Sequence, residues 1–229
     1  MTQLGNMKNL KITLVEIAST EDGLLEGPIS KDIYSHLSLP SRAIDLLAEL
    51  AKRYNYNDTV SINTKYNNPR GYFTREQWDR FESSDIVAIS AITRTAPQSY
   101  ELARRVKQIN PSAWVLIGGP HVSALPEEGL QHADIVIHKE GDHTFVDILD
   151  RIHENKFSPE LKSIDGISFT NTNGEMITTK ARPFLSSEEL CKLPFPVYPQ
   201  EVLKKLTHTG SGGKCLSMSS LRRQGSRTY

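Results

Sequence analysis

Between Leu10 and Asn155, short apolar runs alternate with segments of helical spacing. That rhythm predicts a parallel sheet joined by right-handed crossovers, with helices on both faces. The runs are "LKITLVEI" (10–17), "TVSINT" (59–64), "DIVAISAIT" (85–93), "AWVLIGG" (113–119) and "DIVIH" (134–138). The third is almost continuously apolar or small, as suits a central strand buried on both faces. Among the helical segments, "SRAIDLLAELAKRY" spaces Leu46, Leu47, Leu50 and Ala51 along one side, with Ser41 as N-cap. "TREQWDRFESS" predicts a short helix with Trp78 and Phe81 turned inward, and "PQSYELARRVKQIN" carries Pro97 in its first turn. "LPEEGLQHA" and "DHTFVDILDRIHEN" supply two more. The expected class is α/β: a flavodoxin-like, doubly wound parallel sheet of five strands, followed by a C-terminal β-hairpin and a linker.

The rhythm breaks after Asn155. "IDGISFT-NTNG-EMITTK" reads as two antiparallel strands around an Asn/Gly turn. "ARPFLSSEELCKLPFPVYP" is rich in proline and aromatics, with one turn of helix expected at Ser187–Leu190. Gly, Ser and Arg dominate the tail, which is expected to be poorly ordered. The domain division is therefore 8–155 for the sheet domain, 156–200 for hairpin and linker, and 201–229 for the tail.

Composition narrows the function classes. Lys+Arg and Asp+Glu both total 27, so nothing points to a nucleic-acid or membrane-surface partner. No apolar run has bilayer length and no basic-then-apolar leader opens the chain, so a cytoplasmic protein is expected. Two cysteines, Cys191 and Cys215, cannot build a disulfide framework or a four-cysteine metal site.

In a doubly wound sheet, ligands sit at the carboxyl ends of the strands, where the strand order reverses. The loops "SAITRTAP", "GGPH" and "HKEGDH" follow three of those ends. Ser90, Thr93 and Thr95 offer hydroxyls to a flat cofactor, though Thr95 can equally cap the helix at Pro97. Gly118 and Gly119 end a buried strand, where chain freedom costs stability; a tight strand-to-helix turn accounts for an isolated pair, and a close approach by protein backbone or a ligand is the alternative. No G-x-G-x-x-G follows this strand or the first. His121, His132, His138 and His143 match no compact ligand spacing, which predicts scattered surface histidines, and Glu127, Glu128, Glu140 and Asp142 read as a solvated rim. "GSGGK" fails as a P-loop, because His208 stands where the first glycine belongs and no Ser or Thr follows Lys214. A receiver domain needs an Asp where this chain has Ser90.

As a set, "DIVAISAIT", "VLIGGPH…LPEE" and "DIVIHKEGDHTF" resemble the N-terminal cobalamin-binding domain of cobalamin-dependent radical S-adenosylmethionine enzymes. Cobalamin domains write Ser-x-Leu after the third strand and Gly-Gly after the fourth. Here "SAI" (Ser90–Ile92) precedes Gly118–Gly119, with 27 residues between Ser90 and Gly118, which fits their interval. The radical branch writes G-G-P-H and G-E-G-E in the last loops. This chain has "GGPH" and "KEGD", with Lys139 and Asp142 as departures. "GISF…GEMI" and "LPFPVYP" also resemble the link from that domain to the radical barrel, so the resemblance covers roughly residues 8–200.

The resemblance implies a cobalamin cofactor held by Ser90, Ile92, Thr93, Gly118, Gly119, Pro120, His121, Glu140 and Gly141. The glycine pair would admit the nucleotide tail, with Glu140 and Asp142 near its sugar end, accepting from ribose hydroxyls or capping the next helix. D-x-H-x-x-G, whose His ligates cobalt from below, is absent after the first strand, and His36 is the only histidine in that loop. The radical core needs C-x-x-x-C-x-x-C for its iron–sulfur cluster. "KCLSMSSLR" resembles the approach to that triplet, but "RQGSRTY" follows, so no cluster site and no catalytic residue is expected in this chain. The expectation is a truncated, methyltransferase-like cobalamin-binding module, with a separate radical S-adenosylmethionine core protein as the implied partner. Two other readings stay open: a flavodoxin-like domain for another nucleotide cofactor, and a non-catalytic interaction module with an empty site.

Overall fold

The computed structural model describes residues 8–17, 43–63, 73–155 and 160–197. The loop containing His36, Cys215 and the tail 201–229 lie outside the described residues. In chain order the elements are β1 (Ile12–Glu16), α1 (Ala43–Arg53), β2 (Thr59–Asn63), α2 (Arg75–Ser83) and β3 (Ile86–Ser90). There follow α3 (Ala96–Ile109), β4 (Trp114–Gly118), α4 (Pro120–Ala124), α5 (Pro126–Leu130), β5 (Ile135–Ile137) and α6 (Asp142–Glu154). The hairpin β6 (Ile167–Thr170) and β7 (Met176–Thr178) and the short helix α7 (Ser187–Lys192) complete the set.

The strand order is β2-β1-β3-β4-β5-β6-β7. β1 to β5 pair in parallel, in the flavodoxin-like order, with the reversal between β1 and β3. Two-residue periodicity then divides the core. Ile12, Leu14, Ile86, Ala88 and Leu116 pack with α1 and α6 on one face, through Ile44, Ala48, Phe145 and Ile148. Val15, Val87, Ile89, Val115 and Ile117 pack with α2 and α3 on the other, through Phe81, Leu102, Ala103 and Val106. Phe81 is fully buried and meets Phe73 and Trp78 edge to face, with centroids 5.1 and 5.4 Å away. Trp78 itself is only partly buried.

Local signals set the helix starts. Thr74 and Gln77 form a reciprocal capping box before α2, as Ser186 and Glu189 do before α7. Arg80 on α2 ties the amino ends of the sheet together. Its guanidinium donates to Thr13 Oγ1 at 3.1 Å, to Asp58 Oδ1 at 2.6 Å and to the Ile12 carbonyl at 3.1 Å.

The sheet has seven strands rather than five. The hairpin joins it instead of standing apart, because β6 pairs antiparallel with β5, Ile167 opposite Ile137. Its turn is built by Asn171, whose Oδ1 accepts from the N–H groups of Asn173 and Glu175, and by Gly174 at φ +80°. The reversal has a consequence for the site. β7 runs antiparallel to β6, so it points the same way as β5 and delivers residues 179–185 to the carboxyl ends of the parallel strands.

Candidate functional site

One row of residues crosses the carboxyl end of the sheet. Glu16 pairs with Ser90, Ser90 with Gly118, and Gly118 with Ile137. By strand alternation all four face the side of α1 and α6. Ser90 is half-buried, and its hydroxyl has no hydrogen-bond partner among the described residues.

The two glycines answer to different causes. A Cβ on Gly119, at φ +115°, would stand 2.3 Å from the Ala91 carbonyl oxygen, so protein backbone alone demands glycine there. Among the described residues, a Cβ on Gly118 would meet nothing nearer than Ile137 Cβ at 3.7 Å, an ordinary contact. The fold leaves that space open.

The loop after β3 is a short 3₁₀ turn, Thr93–Thr95. Ile92 is 48% exposed at its start, an apolar side chain offered to solvent at the rim of the site. Thr95 does not cap α3. Its hydroxyl accepts from the Ile92 N–H at 3.3 Å and so closes the turn. Thr93 is exposed and lies 3.3 Å from His121 Nδ1.

Pro120 is exposed at the first position of α4, where its missing N–H costs nothing. His121 is packed: its side chain is 10% exposed, and its Nε2 lies 3.3 Å from Glu128 Oε1. Behind it, Tyr100 stacks on His132 with ring centroids 4.4 Å apart. Burial and then the Glu128 carboxylate hold the Tyr100 phenol above its usual range.

The loop after β5 is anchored from both sides. Ser123 Oγ donates to the Gly119 carbonyl at 2.9 Å and accepts from the Lys139 N–H at 2.9 Å. Lys139 sits at φ +54°, a conformation glycine adopts without penalty. Glu140 Oε2 accepts from the Leu185 N–H at 2.9 Å, and the Lys139 ammonium lies 5.5 Å from the centre of the Phe184 ring. Arg182 pairs with Asp147 on α6. The linker therefore straps itself onto this loop. Gly141 opens α6, and Asp142 is buried in its first turn.

His138 is half-buried and ends β5, with Nε2 2.8 Å from Ser168 Oγ, which in turn lies 2.8 Å from Thr178 Oγ1. Three of the four histidines expected on the surface, His121, His132 and His138, are thus partly buried and partnered: Glu128 and Thr93 meet the edges of His121, Ser168 meets His138, and Tyr100 covers a face of His132. Sequence reading missed Ser123, Ser168 and Thr178; each acts across a loop or strand pair that no local spacing marks. Among the described residues, no group of three or more His, Cys, Asp or Glu side chains can hold a metal ion. No described helix is long and apolar enough to cross a membrane.

Comparison with known proteins gives concordant matches. Residues 37–149 match the B12 binding domain family. The uncharacterized methyltransferase PH0819 of Pyrococcus horikoshii is 27% identical over 201 residues, covering 84% of this chain and 39% of that protein. In structure, the cobalamin-dependent S-adenosylmethionine radical enzyme OxsB with aqua-cobalamin bound is similar with a TM-score of 0.61 and 16% identity. That match covers 87% of this chain and 25% of OxsB. The radical S-adenosylmethionine methyltransferase TsrM from Kitasatospora setae, solved with tryptophan and an S-adenosylmethionine analogue, gives 0.51 at 13% identity. It covers 74% of this chain and 30% of TsrM. The chain spans less than two-fifths of the length of each.

Proposed function

We propose, from the premise that this chain carries a B12-binding domain over residues 37–149, that the row Ser90–Gly118 is where the domain receives its cobalamin. The observation that carries this reading is a pair of vacancies side by side. Among the described residues, a hydroxyl without a partner stands next to a glycine whose Cβ space is open.

In this reading the chain's residues bind and orient. Gly118 admits the nucleotide tail of the cofactor along the α1 and α6 side of the sheet, and Ser90 hydrogen-bonds to it. Ile92 and Pro120 offer apolar contact at the rim, and Thr93 a hydroxyl beside them. Gly119 holds the loop after β4 against Ala91. Glu140 and Gly141 shape the opposite wall, with Glu140 also holding the linker. Cobalamin when bound supplies methyl-transfer chemistry at cobalt, and the protein supplies position. Nothing in the described residues assigns a lower cobalt ligand, and His36 stays a candidate.

We further infer that the module serves a methyltransferase-like radical S-adenosylmethionine system in the cytoplasm. The relatives described above are methyltransferases or radical enzymes by name, and it spans the smaller part of each. A radical S-adenosylmethionine core is then its working partner. Phe184, Phe195 and Val197, 54–69% exposed on the linker, give that core an apolar edge to meet.

The test is an ultraviolet–visible spectrum after mixing the protein with hydroxocobalamin and desalting. Corrinoid bands that coelute with folded protein are the expected outcome. Folded protein that elutes colourless would overturn the reading.

A further inference from the structure

We propose that His121 is a positioning residue, one that serves the site through Thr93, and that Glu128 fixes the imidazole tautomer that makes the Thr93 hydroxyl an acceptor toward bound cofactor. The inference rests on the cobalamin reading above and goes further, because it gives the three side chains distinct roles.

The argument begins with hydrogen-bond polarity. His121 Nε2 lies 3.3 Å from Glu128 Oε1, and His121 Nδ1 lies 3.3 Å from Thr93 Oγ1. An ionised carboxylate only accepts, so Nε2 must carry a proton to bond with it. In the neutral imidazole Nδ1 is then a lone pair, and the one proton of Thr93 must be donated to it. What Thr93 presents outward is oxygen lone pairs alone. A ligand group that meets this hydroxyl has to be a donor, as the carboxamide N–H groups on the rim of a corrin ring are.

Burial separates the roles. The His121 side chain is 10% exposed, while Thr93 is exposed, so the hydroxyl and not the imidazole reaches a ligand. The charged and titratable groups around His121 come from two further elements. Glu128 comes from α5, Tyr100 from α3, with its ring centroid 6.1 Å away, and His132, just beyond α5, stacks on Tyr100. The Tyr100 hydroxyl is buried beside Glu128 and stays protonated. The arrangement is the one by which a carboxylate behind an imidazole selects a tautomer in other sites.

The experiment joins two readouts, nitrogen-15 NMR of the His121 ring and hydroxocobalamin affinity by titration. In the wild type, Nε2 is expected to show the shift of a protonated nitrogen and Nδ1 that of an unprotonated one. Thr93→Val should weaken cobalamin binding about tenfold, the worth of one well-placed hydrogen bond, while Thr93→Ser retains it. Glu128→Gln should move proton density toward Nδ1 and weaken binding at unchanged Tm. Combined with Thr93→Val it should add nothing more, because both act through one hydroxyl. A protonated Nδ1 in the neutral wild type, wild-type affinity in Thr93→Val, or additive losses in the double variant would overturn the proposal while leaving cobalamin binding intact. A folded wild type that retains no corrinoid overturns the reading beneath it as well.

Discussion

Ser90 and Gly118 stand opposite each other in the β3–β4 ladder, one with a hydroxyl that bonds to no other described residue, the other with room for a methyl group among those residues. The Ser90 hydroxyl is not among the buried polar atoms left without a partner, so it costs the fold nothing and can exchange water for a ligand group. Ser90→Ala removes no hydrogen bond among the described residues, so its Tm should stay within a degree or so of the wild type. Cobalamin affinity should fall about tenfold if that hydroxyl hydrogen-bonds to the cofactor. Paired thermal melts and titrations check both halves.

The glycine pair makes a sharper contrast. Gly118→Ala should fold normally, since the added Cβ meets Ile137 at 3.7 Å, and Gly118→Val, checked for folding by its melt, should lose cobalamin binding by steric exclusion. Gly119→Ala should do the reverse. Its Cβ would drive into the Ala91 carbonyl at 2.3 Å, in a backbone conformation that side chains avoid, and about 3 kcal/mol or more of stability should go. Urea unfolding separates the two. A Gly118→Val protein that binds cobalamin as well as the wild type would remove this residue from the site.

His138 gives the fold a pH dependence with a definite sign. Burial first, and then the positive charge of Lys139, hold its pKa below the ordinary 6.5. The unfolded chain therefore binds this proton more readily than the folded one. Stability from the neutral imidazole is complete above 6.5 and is lost as pH falls through the lower, folded value. The affected joint is β5–β6, where His138 Nε2 meets Ser168 Oγ. Urea unfolding at about pH 7.5 and about pH 5.5 should show a larger acid loss in the wild type than in His138→Gln, which cannot titrate. Equal losses would place the pH dependence elsewhere.

How much of this was legible beforehand follows from how far each signal reaches along the chain. The five parallel strands and their helices were legible, because each carries its own apolar period, and the capping box at Thr74 confirms one start. The hairpin was legible as a hairpin through Asn171 and Gly174, but not as part of the same sheet. The β5–β6 pairing depends on residues some 30 positions apart. In the site, the glycine pair was conspicuous, yet sequence could not divide its causes, since only the fold brings Ala91 to Gly119 and leaves Gly118 free. The histidines misled for the same reason. Glu128, Thr93 and Ser168, which occupy them, are distant in sequence or arrive on other loops. Lys139 at φ +54° takes a conformation that glycine adopts without penalty, which no local sequence signal marks.

The linker offers the last test, and Glu140 is its pivot. The Glu140 carboxylate accepts from the Leu185 N–H at 2.9 Å, whereas the neighbouring Arg182–Asp147 pair is partly exposed and worth little by itself. Glu140→Ala should therefore release residues 182–185 where Arg182→Ala barely does. Amide exchange at Leu185 should quicken by about tenfold or more, and protease cleavage beside Phe184, 69% exposed, should follow. Global Tm should hardly move, since the strap adds little to either core. A carboxylate accepts several hydrogen bonds at once, so hydroxocobalamin should leave Leu185 protected in the wild type even if it also engages Glu140. Protection that survives Glu140→Ala would mean that apolar packing of the linker, and not this hydrogen bond, fastens it to the wall of the site.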